Sequence, residues 1–304
     1  VQVEAGGFST KRRDGCRKIV RSPGPQTCVL ITGCENCSAD EQINTCRGVL
    51  LMKLGMVTYM WGADWDLPTL IKNCTDAEFD GVELRSTHKH GVEVTLSKEQ
   101  RAEVKKRFAD SPVKCVGPGS ACEYHSADHG VLLQNIELTK KFVELSADIG
   151  ATGVKVRPNG FVKGEERDKT IERIGLALQE CGKFAAGYNQ EIRVEVHGHG
   201  TQDPAVIQKI MQIADHPLVV VCWNSNPGEP VNGSIKPAFN LLKNKFGATV
   251  HIHDLFDKTY PYRELFQLLK AQDYKGYFLS ESPATTDAPR IMRYYRALFN
   301  ELIK

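Results

Sequence analysis

Along residues 52–304, short β-branched runs alternate with longer segments in which apolar positions recur every three or four residues. The first pattern is that of a buried strand, the second that of an amphipathic helix, and their alternation predicts parallel βα units. Strands are predicted at 53–60 (KLGMVTYM), 80–86 (DGVELRS), 113–118 (VKCVGP) and 153–159 (GVKVRPN). Four more follow at 191–197 (EIRVEVH), 217–224 (PLVVVCWN), 248–254 (ATVHIHD) and 276–282 (GYFLSES). Helix signals fill the gaps. Asp66 and Ser97 stand where N-caps are needed and Pro68 falls in a first turn. Leu132, Ile136, Phe142, Leu145 and Ile149 form one apolar stripe that stops at Gly150. Eight units, repeating every ~30 residues, predict a single closed α/β barrel of the (β/α)8 type. An open doubly wound sheet would want a phosphate-binding glycine loop, and the chain has no G-x-G-x-x-G.

Residues 1–51 break this pattern. They have no sustained period and mix Gly, Ser, Pro and basic residues, so the chain divides into an N-terminal extension, expected to be disordered, and a barrel at 52–304. The segment "ITGC" at 31–34 is like a lipoprotein cleavage site, but the preceding "RSPGPQT" is too polar for a signal peptide. The extension also carries the excess charge, leaving the barrel balanced at 32 basic and 32 acidic side chains. A balanced body has no basic stripe for nucleic acid, and no apolar run reaches the ~18 residues of a membrane helix. Cys74, Cys115, Cys122, Cys181 and Cys222 are scattered singly through apolar contexts, as expected of a reduced, cytoplasmic protein.

Polar residues gather where the strands end, which in such a barrel is the face that carries chemistry. Glu83 and Arg85 close the second strand, and Glu123 and His125 follow the third. Lys155, Arg157 and Asn159 alternate on the fourth; a purely structural alternative for Lys155 and Arg157 is a pairing with Glu83 that fills a polar barrel mouth. In "VEVHGHG", Glu195, His197 and His199 share one face if the strand lasts that long. The sixth strand ends at Asn224, the seventh at His251, His253 and Asp254, the eighth at Glu281. Eight of the nine histidines lie at or beyond strand C-termini, which favours a metal or acid–base site. Glu195 and Glu281 follow apolar residues on inward faces, where an unpaired carboxylate is costly, so a cation should meet them. Trp223 is placed to stack on the apolar face of a sugar.

The motifs "VEVHG", "VCWNSNP", "VHIHDL" and "FLSESP", each at the end of its own strand, resemble those of the sugar-phosphate isomerase/epimerase superfamily, the xylose-isomerase-like TIM barrels. The resemblance runs from about Met52 to the end and extends to ketose 3-epimerases, hydroxypyruvate isomerases, inosose dehydratases and, more remotely, endonuclease IV. It implies that Glu195, Asn224, His251 and Glu281 hold one divalent metal (Mn, Mg, Co or Zn), with His251 chosen over His253 by the spacing to Asp254. The family usually has aspartate where this chain has Asn224; an amide oxygen can ligate but brings no charge.

Those residues imply a metal-dependent isomerase or epimerase acting on a sugar or keto-sugar, phosphorylated or not. Glu195 and Glu281 would transfer a proton next to a carbonyl through an enediolate. His197, Lys155, Arg157, Glu123, His253 and Trp223 would contact the carbohydrate. Two alternatives use the same residues: a metal-dependent lyase or hydrolase on a keto-inositol or oxidised glycoside, and a non-catalytic sugar-binding barrel. A phosphodiesterase like endonuclease IV would need a basic face that the balanced barrel lacks. Barrels of this family often pair, so a homodimer is an open expectation.

Overall fold

The computed structural model describes residues 52–304; the extension expected at 1–51, with its cysteines and its "ITGC", lies outside the described residues. Eight parallel strands close into a barrel in sequence order: β1 (Lys53–Val57), β2 (Gly81–Arg85), β3 (Lys114–Glu123), β4 (Gly153–Arg157), β5 (Glu191–Glu195), β6 (Val219–Asn224), β7 (Phe246–Ile252) and β8 (Tyr277–Ser280). Between and after them run α1 (Leu67–Asp76), α2 (Lys98–Ala109), α3 (His129–Asp148), α4 (Arg167–Ala186), α5 (Pro204–Ala214), α6 (Lys236–Leu242), α7 (Tyr262–Ala271) and α8 (Ala288–Leu302). The β8–β1 pairing, with Leu54 against Phe278, closes the ring and leaves no open edge.

Local chemistry explains the helix starts. The Asp66 carboxylate accepts from Thr69 N, and Ser97 and Gln100 cap each other reciprocally in a capping box. Most strands stop one to three residues before the pattern predicted. The exceptions are β6, which ends at Asn224 as predicted, and β3, which runs on to Glu123 and carries an extra residue where its pairing with β2 shifts between Val82 and Glu83.

The main apolar core lies between the barrel and its helices, and includes Phe79, Leu145, Ile174, Ile210, Phe266 and Phe299. Inside the barrel the apolar filling is slight: Val57, Val116 and Leu279, with Tyr277 against them. Val220 and Cys222 of β6 add to it, and the other inward positions are polar or glycine. Cys74, Cys115, Cys122, Cys181 and Cys222 are buried and unpaired, as their contexts predicted. Among the described residues, no helix is long and apolar enough to cross a membrane.

Candidate active site

Four strand ends deliver side chains to one point at the C-terminal mouth. Glu195 is the last residue of β5 and Asn224 the last of β6; His251 is next to last in β7, and Glu281 follows β8 directly. One ligand atom from each of Glu195, His251 and Glu281 lies within 4.8 Å of the others. His251 Nδ1 is 3.4 Å from Glu195 Oε1 and 3.4 Å from Glu281 Oε2. Asn224 Nδ2 donates to Glu195 Oε1 at 3.4 Å, which leaves Asn224 Oδ1 buried with no hydrogen bond. Glu195 Oε2 and His251 Nδ1 also lack one. Buried polar atoms without partners are rare in native proteins, and four donors of O and N type converging here suit a divalent ion.

Two further buried groups frame this cluster. Lys155 Nζ sits 2.9 Å from Glu195 Oε2 in a buried ion pair. On the other side Glu83, fully buried on β2, places Oε2 3.4 Å from His251 Nε2. A histidine held at one nitrogen by a carboxylate presents the other to a metal, and here the free one is Nδ1. Gly119 makes room for this, since a Cβ there would stand 2.6 Å from Glu83 Oε1.

The electrostatics follow from burial and proximity. Burial alone would raise the Glu195 carboxyl, but Lys155 and then His251 and His197 outweigh it and hold it well below its ordinary range. Glu281 is drawn down to about 2, with burial opposed by His251 and His253. Burial disfavours a charged imidazole at His251, yet Cys222, Glu83 and Glu195 together raise it well above the usual value. Burial likewise works against charge on Lys155, and Glu195, Glu83 and Glu281 overcome it. The cluster therefore draws in positive charge. His197 goes the other way: burial first, then Arg157 and Lys155, lower it despite Glu195, so its imidazole is neutral at pH 7.

Above the cluster opens a cavity of about 770 Å³. Lys155, Arg157, His197 and His253 line it together with Glu195, Asn224 and Glu281. Two expectations and one alternative need correction. Trp223 is fully buried and faces away from the cavity, packed against Phe239 and Phe246 with Nε1 donating to Tyr260 Oη; strand alternation puts it on the side opposite Asn224. Glu123 does not line the cavity but binds Arg157 at 2.7 Å and Asn159 at 2.6 Å. The pairing of Lys155 and Arg157 with Glu83 is replaced by Lys155–Glu195 and Arg157–Glu123.

His199 also leaves the face it was expected to share, because β5 ends at Glu195 and the chain then turns. His90 serves its own loop instead, bonding Arg85 O and Val92 N. Glu83 and Asn226 were missed as members of the site. Glu83 carried a usable signal, an acid at an inward position of an apolar strand. Asn226 lies beyond its strand, where no period applies; its Nδ2 donates to Val196 O, Asn224 O and Glu229 Oε1 and so fixes the turn after Asn224.

A profile of the xylose isomerase-like TIM barrel family matches residues 71–300. No curated protein sequence matches the chain. Among solved structures the chain is similar to a 3-keto-D-glucoside 4-epimerase from E. coli, with a TM-score of 0.67 at 16% identity over 83% of this chain and 98% of that one. It is similar to an L-ribulose 3-epimerase, TM-score 0.70 at 17% identity over 83% and 95%. A third is a D-psicose 3-epimerase from Clostridium cellulolyticum, TM-score 0.70 at 14% identity over 83% and 100%. Identities this low carry the fold alone.

Proposed function

Because the chain belongs to the xylose isomerase-like TIM barrel family, we propose that it is a divalent-metal-dependent isomerase or epimerase of a sugar or keto-sugar. The observation that carries the reading is the convergence of Glu195, His251 and Glu281, beside an Asn224 oxygen and a His251 nitrogen that nothing else satisfies. Epimerases acting on sugars among the similar structures support it.

Glu195, Asn224, His251 and Glu281 would hold the ion, with Glu83 orienting His251 through Nε2. Such an ion polarises a carbonyl and makes the neighbouring C–H acidic. The charge count favours a dication. Glu83, Glu195 and Glu281 bring three negative charges and Lys155 one positive, so a dication with neutral His251 brings the buried total to zero. A fourth carboxylate at 224 would leave it negative, which gives the amide of Asn224 a reason beside Lys155.

The carboxylates of Glu195 and Glu281 reach the cavity from strands separated by β6 and β7, and take up and return the proton at carbon on opposite sides of the sugar. Between those two transfers the substrate is an enediolate. The Lys155 ammonium and the neutral His197 imidazole lie where they can hold its oxygen or an adjacent hydroxyl. Arg157, fixed by Glu123, and His253 position the remainder of the carbohydrate.

The test pairs metal content with isotope exchange. Purified protein should bind about one divalent ion and, in D2O, carry solvent deuterium into one carbon of a ketose or keto-sugar. Glu195→Gln and Glu281→Gln should each abolish that exchange and leave the circular dichroism spectrum unchanged. Metal binding without exchange into any ketose, keto-sugar or keto-glycoside would leave a sugar-binding barrel, and elimination products would mean a lyase.

A further inference from the structure

We infer that the pocket takes a keto-sugar that carries an apolar group in glycosidic linkage, and that Tyr59, Met60 and Phe256 form a subsite for that group; this rests on the sugar reading above. The cavity volume of about 770 Å³ is the first reason. Cavities of ~300–1,000 Å³ enclose drug-sized ligands, and one sugar ring is far smaller than these. The ring's polar partners are all at the floor, so the space above them needs another occupant.

The second reason is the chemistry of the rim. Phe256, just after β7, is 74% exposed, and Met60 and Tyr59, just after β1, are 43% and 38% exposed. All three line the cavity. β7 and β1 are the two neighbours of β8, so these side chains rise on either side of the strand that delivers Glu281. The Arg85 guanidinium lies 4.7 Å from the Tyr59 ring centre and holds that ring at the mouth. Single exposed apolar residues are ordinary, but three facing one cavity are a patch that a flat apolar group would cover.

Calorimetric titration of the full chain, with its divalent ion bound, tests the subsite without requiring turnover. The probes are methyl and phenyl glycosides of glucose and galactose. The phenyl glycoside of at least one sugar should bind about tenfold more tightly than its methyl counterpart. Phe256→Ala and Tyr59→Ala should each remove most of that preference, whereas Tyr294→Ala, exposed on α8 away from the cavity, should keep it. Equal binding of phenyl and methyl glycosides, or no binding by either, overturns the inference. If solvent deuterium exchange persists in that case, only the subsite falls; a phenyl preference without exchange keeps the subsite and removes the isomerase.

Discussion

Arg193 and Lys155 are partners in the β4–β5 pairing, both buried cations inside the same barrel, and their surroundings could hardly differ more. Arg193 occupies the lower interior, lying over Gly117 and Gly153, where a Cβ would stand 3.3 Å and 2.9 Å from its guanidinium. Its Nε donates to Glu191 Oε2 at 2.7 Å, Nη1 to Val116 O at 2.9 Å and Nη2 to Thr152 Oγ1 at 2.7 Å. Lys155, one layer up, faces the single carboxylate of Glu195 at 2.9 Å, amid oxygens and a nitrogen with no hydrogen bond. A buried charge whose partners are complete stabilises one packing. A buried charge among incomplete partners marks a place prepared for a ligand. The lower layer of this barrel is structure, and the upper layer is site.

Breaking the lower layer should have the largest effect. Arg193→Met strands the Glu191 carboxylate, the Val116 carbonyl and the Thr152 hydroxyl, and is expected to cost about 3–5 kcal/mol of folding stability. Urea denaturation would read this, and a loss below about 1 kcal/mol would mean that Arg193 is not the lower layer's keystone. The upper layer should respond in ligand affinity instead. Glu83→Gln is expected to weaken divalent-ion affinity about 10- to 100-fold, by loosening the hold on His251 Nε2, while the fold survives. Competition against a fluorescent chelator measures it; an unchanged affinity would detach Glu83 from the metal centre.

A buried acid at the mouth gives the comparison its finest test. Glu229 accepts from Tyr260 Oη at 2.7 Å and from Asn226 Nδ2 at 3.2 Å, and burial, only partly offset by these bonds, pushes its carboxyl up to about 8. The unfolded chain gives up that proton at a lower pH than the folded one. Stability that is present at pH 5 should therefore be lost as pH rises through 8. The melting temperature is expected to fall by a few degrees between pH 5 and 8 through this group, and Glu229→Gln should flatten that part of the profile. An identical slope in the variant would show that Glu229 is not buried as a neutral acid.

Much of this architecture was legible in the chain. Asp66 and Ser97 opened their helices as their side chains predicted, and β1 to β8 appeared where β-branched runs were bounded by turn residues. Glu195, Asn224, His251 and Glu281 reached one place because each ends its own strand, and a closed barrel brings strand ends together whatever loops intervene. Trp223 failed for a reason equally local. It neighbours Asn224, and in a strand neighbours point opposite ways, so only one of the two could face the cavity. Of the clustered histidines, His251, His197 and His253 reach the site, whereas His90 is spent on the backbone of its own loop.

What the sequence determined by itself was periodicity: the number of βα units, their closure into a barrel, and which end would carry chemistry. These follow from interactions between residues near each other along the chain, or repeated in every unit. The tertiary structure decided the pairings. In "EIRVEV" Arg193 and Glu195 occupy equivalent alternate positions, and nothing in the pattern distinguishes the one that fills the barrel floor from the one that serves the site. The difference comes from β3 and β4, whose glycines leave space for a guanidinium below, and from β2, β6 and β7, whose polar atoms remain unmatched above. Those neighbours lie tens of residues away along the chain, so only closure of the barrel could bring them into contact.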